Sequence, residues 1–234
     1  DAIQSINIQS GIFCLMKDRF QDIIWVGADG QGIYMYFTDE FSIENVLLDV
    51  PEYRVNNPVR ALFLDHEQTL WIGTKGGGIL RMMDFHPDRE TLPQAERILA
   101  NNSALMDNSV YSFAPGRRNS LWIGTEDGLN YYSYLTRRIE EFPVIADGKK
   151  VKYVHSICET NDSTLWVVSA GEGIVKITLE ASSSLPKVKS AQRFTLDGGK
   201  RNSNYFFVSY QENDSTIWFG NRGYGAYKMN TRTN

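Results

Sequence analysis

Leu70-Trp71-Ile72-Gly73-Thr74 is the stretch that decides the fold, because close variants of it contain every tryptophan of the chain. The other four copies are Ile24–Gly27, Leu121–Gly124, Leu165–Val168 and Ile217–Gly220. Their tryptophans (Trp25, Trp71, Trp122, Trp166 and Trp218) follow one another at steps of 46, 51, 44 and 52 residues. A period of roughly 40 to 50 residues predicts an array in which each repeat is one supersecondary unit packed on its neighbours.

Each repeat has a fixed interior and variable connectors. An apolar segment starts 12 residues before each tryptophan, at Phe13, Val59, Val110, Val154 and Phe206. A polar turn follows it, then the tryptophan segment, a glycine turn, another apolar segment and a looser fourth one, at 43–48, 97–99, 139–144 and 191–196. Asn, Asp, Ser and Gly clusters reverse the chain. Four short antiparallel strands per repeat, with no helical period, predict the blades of a β-propeller.

We therefore predict an all-β fold, a propeller of four-stranded antiparallel blades with five blades in residues 1–234, as one domain or segment. The predicted blades are 11–58, 59–109, 110–153, 154–205 and 206–234. The last has room for three strands, and residues 1–10, with alternating isoleucines, would supply its missing strand. Both a closed five-bladed ring and part of a larger ring fit this pattern. We expect the inner strands to be buried on both faces and all five tryptophans to pack between blades.

Composition narrows the class of partner. The chain is 42% hydrophobic and 22% charged, with a net charge of −4 and no basic stripe, so we expect no nucleic-acid partner. No apolar run approaches the ~20 residues of a membrane span, and no leader opens the chain, which predicts no membrane contact by this segment. The chain therefore reads as a piece of something longer or as a mature secreted form. Cys14 and Cys158 fall on opposite strand faces, so we predict buried free thiols.

The sequence holds no recognisable catalytic or metal-binding motif. His66, His86 and His155 are far apart, and the glycine turns lack the lysine of a phosphate-binding loop. No nucleophile elbow is present. We expect no metal, no cofactor and no enzyme activity in this segment, although the number of acidic residues leaves a glycosidase or lyase open as a lesser alternative.

Two longer stretches carry a family resemblance. LWIGTKGGGILR (Leu70–Arg81) and NSLWIGTEDGLNYY (Asn119–Tyr132) resemble the two-component regulator propeller repeat, and Asp107–Phe113 resembles its strand-entry phrase. The resemblance covers about residues 11 to 230. The fourth repeat departs from it at Val168 and Ser169, and the fifth at Asn221.

The resemblance implies the periplasmic sensor region of a hybrid two-component histidine kinase of Bacteroides type. In such receptors, propellers precede a β-sandwich, a membrane helix and the kinase core, and many respond to oligosaccharides released from glycans. It thus implies a signal-transducing, carbohydrate-sensing propeller that self-associates or packs on other propeller or sandwich domains. A protein-interaction or dimerisation scaffold is the alternative.

Ligand contacts are expected where two sets of loops meet at one face of the blades. The glycine turns offer Asp29, Gln31, Lys75, Glu126, Glu172, Arg222 and Tyr224, and the connectors before the inner strands offer Tyr53, Arg54, Asn56, Asn108, Tyr153 and Asn204. Aromatic, amide and charged groups together suit a sugar ring and its hydroxyls.

Overall fold

The computed structural model describes residues 5–46, 51–85, 94–161, 163–181, 183–200 and 203–232. The chain forms two compact units. The N-terminal unit comprises Asp1–Leu99 and Asn108–Val110, and the C-terminal unit comprises Ala100–Asp107 and Tyr111–Asn234. No helix in the described ranges is both long and apolar enough to cross a membrane.

Two four-stranded antiparallel sheets make up the N-terminal unit. The first has the order β1-β2-β3-β4 and the second the order β5-β6-β7-β8, so each is a simple meander. The strands are β1 (Ile12–Lys17), β2 (Ile23–Ala28), β3 (Ile33–Phe37), β4 (Ser42–Asn45), β5 (Val59–Leu64), β6 (Leu70–Thr74), β7 (Ile79–Met83) and β8 (Gln94–Ile98). A short 3₁₀ turn, Pro51–Tyr53, lies in the connector between the sheets.

The C-terminal unit holds three more meanders and a small hairpin. The sheets are β9 to β12, β15 to β18 and the three-stranded β19 to β21, and β13 pairs only with β14. The strands are β9 (Val110–Gly116), β10 (Ser120–Thr125), β11 (Leu129–Ser133), β12 (Arg138–Phe142), β13 (Ile145–Ala146), β14 (Lys149–Lys150), β15 (Val154–Asn161), β16 (Thr164–Ser169), β17 (Gly173–Leu179), β18 (Val188–Phe194), β19 (Phe206–Asn213), β20 (Thr216–Asn221) and β21 (Gly225–Asn230). A second 3₁₀ turn spans Asp197–Gly199.

The five sheets confirm an all-β chain of five propeller-type blades. Each predicted tryptophan segment is the second strand of its sheet, and each predicted fourth segment is the outer strand. Residues 5–10 form no strand, and residues 1–4 lie outside the described residues. That residues 1–10 complete the last blade, and that the blades close into a ring, therefore stay predictions.

Three of the tryptophans, Trp25, Trp122 and Trp166, lie in cores between neighbouring sheets of one unit. Trp25 packs with Leu70, Ile72 and Leu80 of the second sheet, and Trp166 packs with Ile217 and Phe219 of the fifth. Trp25, Trp71, Trp122 and Trp166 are 0–1% exposed, whereas Trp218, in the last sheet, is half-buried. A buried tryptophan truncated to alanine typically costs about 3–5 kcal/mol, so these side chains dominate the cores.

The prediction that inner strands are buried on both faces is wrong for the first and last sheets. Leu15 of β1 is 67% exposed, and Val208 and Tyr210 of β19 are 55% and 66% exposed. Within its unit, each of these strands has a neighbouring inner strand on one side only, β5 beside β1 and β15 beside β19. One apolar face of each therefore remains in solvent.

The cysteines are free, as predicted, but they are half-buried and not fully buried. Burial nevertheless raises the pKa of the Cys14 thiol to about 12, and burial also raises the pKa of Cys158. Both thiols are thus protonated near neutral pH.

Candidate functional site

The glycine turns have one shape in four of the five sheets. Two glycines with positive φ flank a single middle residue, as in Gly171-Glu172-Gly173 (φ +80° and +90°). The middle residues are Gln31, Gly77, Glu172 and Tyr224. Because only glycine adopts such angles without strain, the sequence itself fixes where each middle residue is presented.

A donor from the outer strand holds three of these turns. Asn45 Nδ2 donates to the Gln31 carbonyl, Arg97 Nη1 to that of Gly77 and Arg193 Nη1 to that of Glu172, each at 3.0 Å. This contact was not predicted from the sequence. The sequence feature that could have predicted it is the polar residue, Asn45, Arg97 or Arg193, at the equivalent position of each outer strand.

In the N-terminal unit, the first glycine turn and the connector enclose a cleft of about 390 Å³. Four of the predicted residues line it: Gln31, Tyr53, Arg54 and Asn56. Apolar side chains, including Leu80 and Met82, complete its wall. The Gln31 amide is oriented by two contacts, since its Nε2 donates to the Gln9 carbonyl at 3.3 Å and its Oε1 accepts from the Tyr34 hydroxyl at 3.0 Å. An aromatic ring, amides and a guanidinium thus surround an apolar wall.

The C-terminal unit has a larger and more charged cleft of about 590 Å³. Tyr153 and Glu172 were predicted, and both line it. Sequence reasoning missed the other ionic side chains of this cleft: Asp147, Lys149, Lys152 and Arg193. They come from the β13–β14 hairpin, the following connector and the outer strand β18, which no local pattern connects with the glycine turn.

Paired charges organise this cleft. Arg193 Nη1 bonds Glu172 Oε2 at 3.1 Å, and the backbone N–H of Arg193 donates to Asp147 Oδ2 at 3.1 Å. Asp127 bridges two ammonium groups, with Oδ2 2.6 Å from Lys150 Nζ and Oδ1 2.8 Å from Lys152 Nζ. The hydrogen bonds from these two lysines hold the pKa of Asp127 below its ordinary value, and the same contact raises the pKa of Lys152.

Tyr153 has a strained backbone at the edge of the C-terminal cleft. Its φ is +52°, a conformation that bulky residues rarely adopt. Hydrogen bonds on both sides maintain it, because its N–H donates to the Glu126 carbonyl at 2.8 Å and its carbonyl accepts from Ala170 N at 3.1 Å. Strain held in this way is commonly found at ligand sites.

Other predicted residues act inside the fold. The Asn108 carbonyl accepts from Gly76 N at 3.1 Å and Gly78 N at 2.8 Å, and the Asn204 carbonyl does the same for Gly171 and Gly173. The fully buried Asn204 amide also bonds the backbone of Leu196 and Lys200. These two residues therefore anchor glycine turns.

The remaining predicted residues do not line either cleft. Glu126 Oε2 accepts from the Tyr111 hydroxyl at 2.8 Å, and Asp29, Lys75, Arg222 and Tyr224 occupy exposed turns. Their ligand role stays a prediction.

A carboxylate receives the indole N–H of most tryptophans, a second feature that the sequence analysis missed. Asp18 accepts from Trp25, Asp65 from Trp71 and Glu212 from Trp218, at 2.9, 2.9 and 2.8 Å. An acid six or seven residues before the tryptophan was the available signal.

The third repeat has no acid at either position, and the acid of the fourth, Glu159, seven residues before Trp166, accepts from the tryptophan of the preceding sheet instead. Gly116 stands six residues before Trp122, whose indole N–H reaches Glu159 of the next sheet at 2.8 Å. Thr160 stands six residues before Trp166, and the buried Trp166 Nε1 has no hydrogen-bond partner in the described part of the chain.

The second residues of neighbouring inner strands contact one another within each unit, through a guanidinium and a ring in the N-terminal unit and through rings in the C-terminal unit. Arg60 lies over the Phe13 ring at 4.2 Å, and His155 stacks on Tyr111 at 4.4 Å and meets Phe207 edge-on at 4.8 Å. Register shifts follow the first residue of β1, β5, β15 and β19, which places Phe13, Arg60, His155 and Phe207 at bulges. His155 therefore has an aromatic packing role, and His86 lies outside the described residues.

Metal binding finds no support in the geometry. Across the described ranges, no three His, Cys, Asp or Glu side chains come close enough to hold an ion. What the clefts can do chemically is bind a polar ligand through aromatic, amide and ionic groups.

Comparison with known proteins gives one family and one kind of fold. A family described as "Two component regulator propeller" matches residues 54–76 and 104–127. Histidine kinase P4 of Formosa agariphila is 27% identical over 183 residues, which are 76% of this chain and 13% of that protein. The chain thus spans a small part of the curated relative's length.

Solved structures cover nearly the whole chain at low identity. PorZ, a surface component of the type-IX secretion system of Porphyromonas gingivalis, superposes with a TM-score of 0.68 at 14% identity, over 94% of this chain and 32% of that one. BT3049 of B. thetaiotaomicron, an extracellular domain named for a hybrid two component system, gives 0.63 at 14%, over 99% and 36%. The corresponding domain of BT4673 gives 0.53 at 16%, over 99% and 43%. Identities this low establish a likeness of fold alone.

Proposed function

Because the chain carries repeats of the two-component regulator propeller family, we propose that it is a sensor that binds a ligand and has no catalytic activity. We propose that it belongs to the periplasmic, extracytoplasmic region of a hybrid two-component sensor kinase. Its ligands are glycan-derived oligosaccharides. The names of two solved relatives, extracellular domains of hybrid two component systems, support the location. The named histidine kinase relative supports the signalling context.

One observation carries the ligand part of the proposal. Gln31, Tyr53, Arg54 and Asn56 belong to two separate segments, yet they line one cleft with an apolar wall. Tyr53 offers a ring face for stacking on a sugar, and the amides and guanidinium offer hydrogen bonds to hydroxyls. The cleft volume lies in the range of about 300–1,000 Å³ that small-molecule sites occupy.

Isothermal titration of the chain against a panel of oligosaccharides tests the proposal. We expect binding by one glycan class, weakened about tenfold by Arg54→Ala or Asn56→Ala, because each removes a polar contact worth about 1.4 kcal/mol. Both residues are exposed, so the melting temperature should not change. Arg138→Ala, at an exposed position of β12 that lines neither cleft, is the control. If the folded chain binds no oligosaccharide of a broad panel, sugar sensing is rejected.

A second candidate function, a dimerisation or interaction scaffold, is favoured by the exposed apolar side chains Leu15, Val208 and Tyr210. Such faces suit self-association or packing on other propeller or sandwich domains. Sedimentation of the chain at micromolar concentration tests it. A monomer whose mass does not change with concentration would count against self-association.

The arrangement of the blades is part of the same proposal. Residues 1–10 either complete the last sheet and close a five-bladed ring, or the blades continue into a larger one. Deleting residues 1–10 lowers the stability of the last sheet in the first case and leaves it unchanged in the second. Hydrogen exchange in β21 distinguishes the two.

A further inference from the structure

We propose that the cleft of the C-terminal unit binds the anionic group of an acidic oligosaccharide, a carboxylate or a sulfate, with the Arg193 guanidinium as its principal partner. The inference rests on the proposed function and names the ligand class of one site.

Arg97 and Arg193 occupy equivalent positions in their sheets. Each lies on the outer strand and pairs with the second residue after the glycine turn, Leu80 with Arg97 and Val175 with Arg193. Each sends Nη1 to the carbonyl of the middle residue of its glycine turn at 3.0 Å. Nη1 of each guanidinium therefore makes the same hydrogen bond to its glycine turn.

Their other N–H groups differ. Arg97 Nε donates to the Glu52 carbonyl at 2.9 Å, and its Nη2 donates to the Arg54 carbonyl at 2.8 Å. Arg193 Nη2 has only a long contact of 3.5 Å to the Lys149 carbonyl, and Arg193 Nε is buried with no acceptor among the residues that the structure describes. The Arg193 side chain is 8% exposed, so an unsatisfied N–H there costs free energy.

The connectors explain the difference. In the N-terminal unit, the 3₁₀ turn Pro51–Tyr53 brings carbonyl groups onto Arg97. In the C-terminal unit, the connector is the β13–β14 hairpin, and Lys149 offers a carbonyl only at the limit of hydrogen-bond distance. A cleft of about 590 Å³ lies beside Arg193, and it lacks the acceptor that the equivalent arginine has.

The charges of the cleft favour an anionic acceptor. Three cations, Lys149, Lys152 and Arg193, line it with two acids, Asp147 and Glu172. Lys152 is also paired with Asp127, which lies outside the lining, at 2.8 Å. Asp147 accepts the backbone N–H of Arg193, and Glu172 accepts Nη1. The exposed Lys149 ammonium has no ion pair within the described part of the protein, so it adds an available positive charge. A guanidinium suits planar carboxylates and sulfates because its N–H groups form a fixed fork.

The size of the cleft favours a sugar over a free ion. Its volume falls within the range of about 300–1,000 Å³ typical of small-molecule sites, which an inorganic anion would leave largely empty. Tyr153, held with its strained backbone at the same cleft, supplies an aromatic surface for the ring that bears the anion.

Calorimetry with matched ligands tests the inference. The probes are digalacturonate, its neutral counterpart galactobiose, a sulfated galactobiose and inorganic sulfate, each titrated into the full chain. We expect at least one acidic disaccharide to bind, and the neutral one to bind at least about tenfold more weakly, since it lacks the charged hydrogen bonds. Raising the salt concentration should weaken the acidic ligand selectively.

Variants locate the site. Arg193→Lys keeps the charge but removes Nε and the fork, and we expect about a tenfold or greater loss of affinity for the acidic ligand. Arg97→Lys makes the same change at the equivalent position in the other unit and should leave that affinity unchanged. If Arg193→Lys does not fold, Lys149→Gln on the exposed hairpin replaces it, with an expected loss of several-fold.

Each contrary result has a distinct meaning. Equal binding of neutral and acidic disaccharides, reduced by Arg193→Lys, would overturn the acidic class and keep the sugar-sensing proposal. Acidic binding that Arg193→Lys and Lys149→Gln leave unchanged would overturn this site. Equally strong binding of inorganic sulfate would replace the sugar with a free anion. No binding of any oligosaccharide would overturn both proposals.

Discussion

Replacing Asp18 by alanine tests the idea that buried carboxylates fix the tryptophans of the blades. Asp18 is 3% exposed and receives three N–H groups. Oδ2 accepts from Trp25 Nε1 at 2.9 Å, and Oδ1 accepts from the backbone N–H of Phe20 at 2.8 Å and of Gln21 at 3.0 Å. The side chain thus links the first turn of the N-terminal unit to the centre of its core.

The expected loss follows from burial. Trp25 is 1% exposed, so its indole N–H loses an acceptor where water does not easily replace it, at a cost of about 1–3 kcal/mol. The two turn N–H groups are only partly buried and reach water, at about 0.5 kcal/mol each. We expect the free energy of opening of the N-terminal unit to fall by about 3 kcal/mol. Asp18→Asn keeps one carbonyl oxygen and should lose roughly half as much.

Hydrogen exchange measured by mass spectrometry is a suitable assay, because it reports each unit separately. Amides of β2 should exchange roughly a hundredfold faster in Asp18→Ala, which corresponds to about 3 kcal/mol. Glu212→Ala is the matched control, since it removes the same kind of bond, 2.8 Å from Trp218 Nε1, at an exposed side chain. A similar acceleration of β20 in the control, or less than a fivefold effect in β2, would refute the role of burial.

Three other predictions concern the unpartnered indole, a glycine turn and the lysine–aspartate cluster. Thr160→Glu should raise the free energy of unfolding by about 1 kcal/mol. Thr160 occupies the position that Glu212 has in the next sheet, and Trp166 Nε1 has no acceptor in the described chain, so the new carboxylate would accept the indole N–H. Lower stability in urea unfolding would show that the carboxylate does not reach the indole. Gly78→Ala should cost about 3 kcal/mol, since φ is +69° and a Cβ would meet Ile98 O at 2.3 Å, whereas Gly223→Ala, at φ +86° in open space, should cost about 1 kcal/mol; equal melting temperatures for the two variants would contradict this. Lys150 and Lys152 lower the folded-state pKa of Asp127, so the Asp127 carboxylate stabilises the fold at pH values above its unfolded pKa near 3.8. This stabilisation is lost as the pH falls through the lower folded pKa. The melting temperature of Asp127→Asn should therefore depend less on acid pH than that of the unsubstituted protein, and an unchanged pH profile would argue against the cluster.

The repeat made the blades predictable. Strand boundaries, tryptophan positions and glycine turns depend on residues within a few positions of one another, so the period of the sequence reports them directly. The expected burial of β1 and β19 failed for the opposite reason, since it depends on what packs against the outer sheets. No pattern within a strand records its neighbours.

The candidate sites were predicted in part. Turn and connector residues such as Gln31 and Tyr53 could be proposed from loop position, and they line the N-terminal cleft. Arg193 could not, because it stands 21 residues after Glu172, on a strand with weak periodicity, and only the pairing of β17 with β18 brings it to the turn. Asn204, conversely, was predicted as a ligand contact because it is a polar residue in a connector, but its buried amide donates to backbone carbonyls.

By itself, the sequence determined that this protein is built of five repeated β-meanders, with a tryptophan at the centre of each and a glycine turn after it, because these features follow from local residue order. The tertiary structure decided which polar and charged groups come into contact. It paired Trp122 with Glu159, 37 residues away, and left Trp166 without a partner in the described chain. It also gave Arg97 the connector carbonyls that Arg193 lacks. Such partners are set by the path of variable connectors and by packing across sheets, which no repeat period encodes.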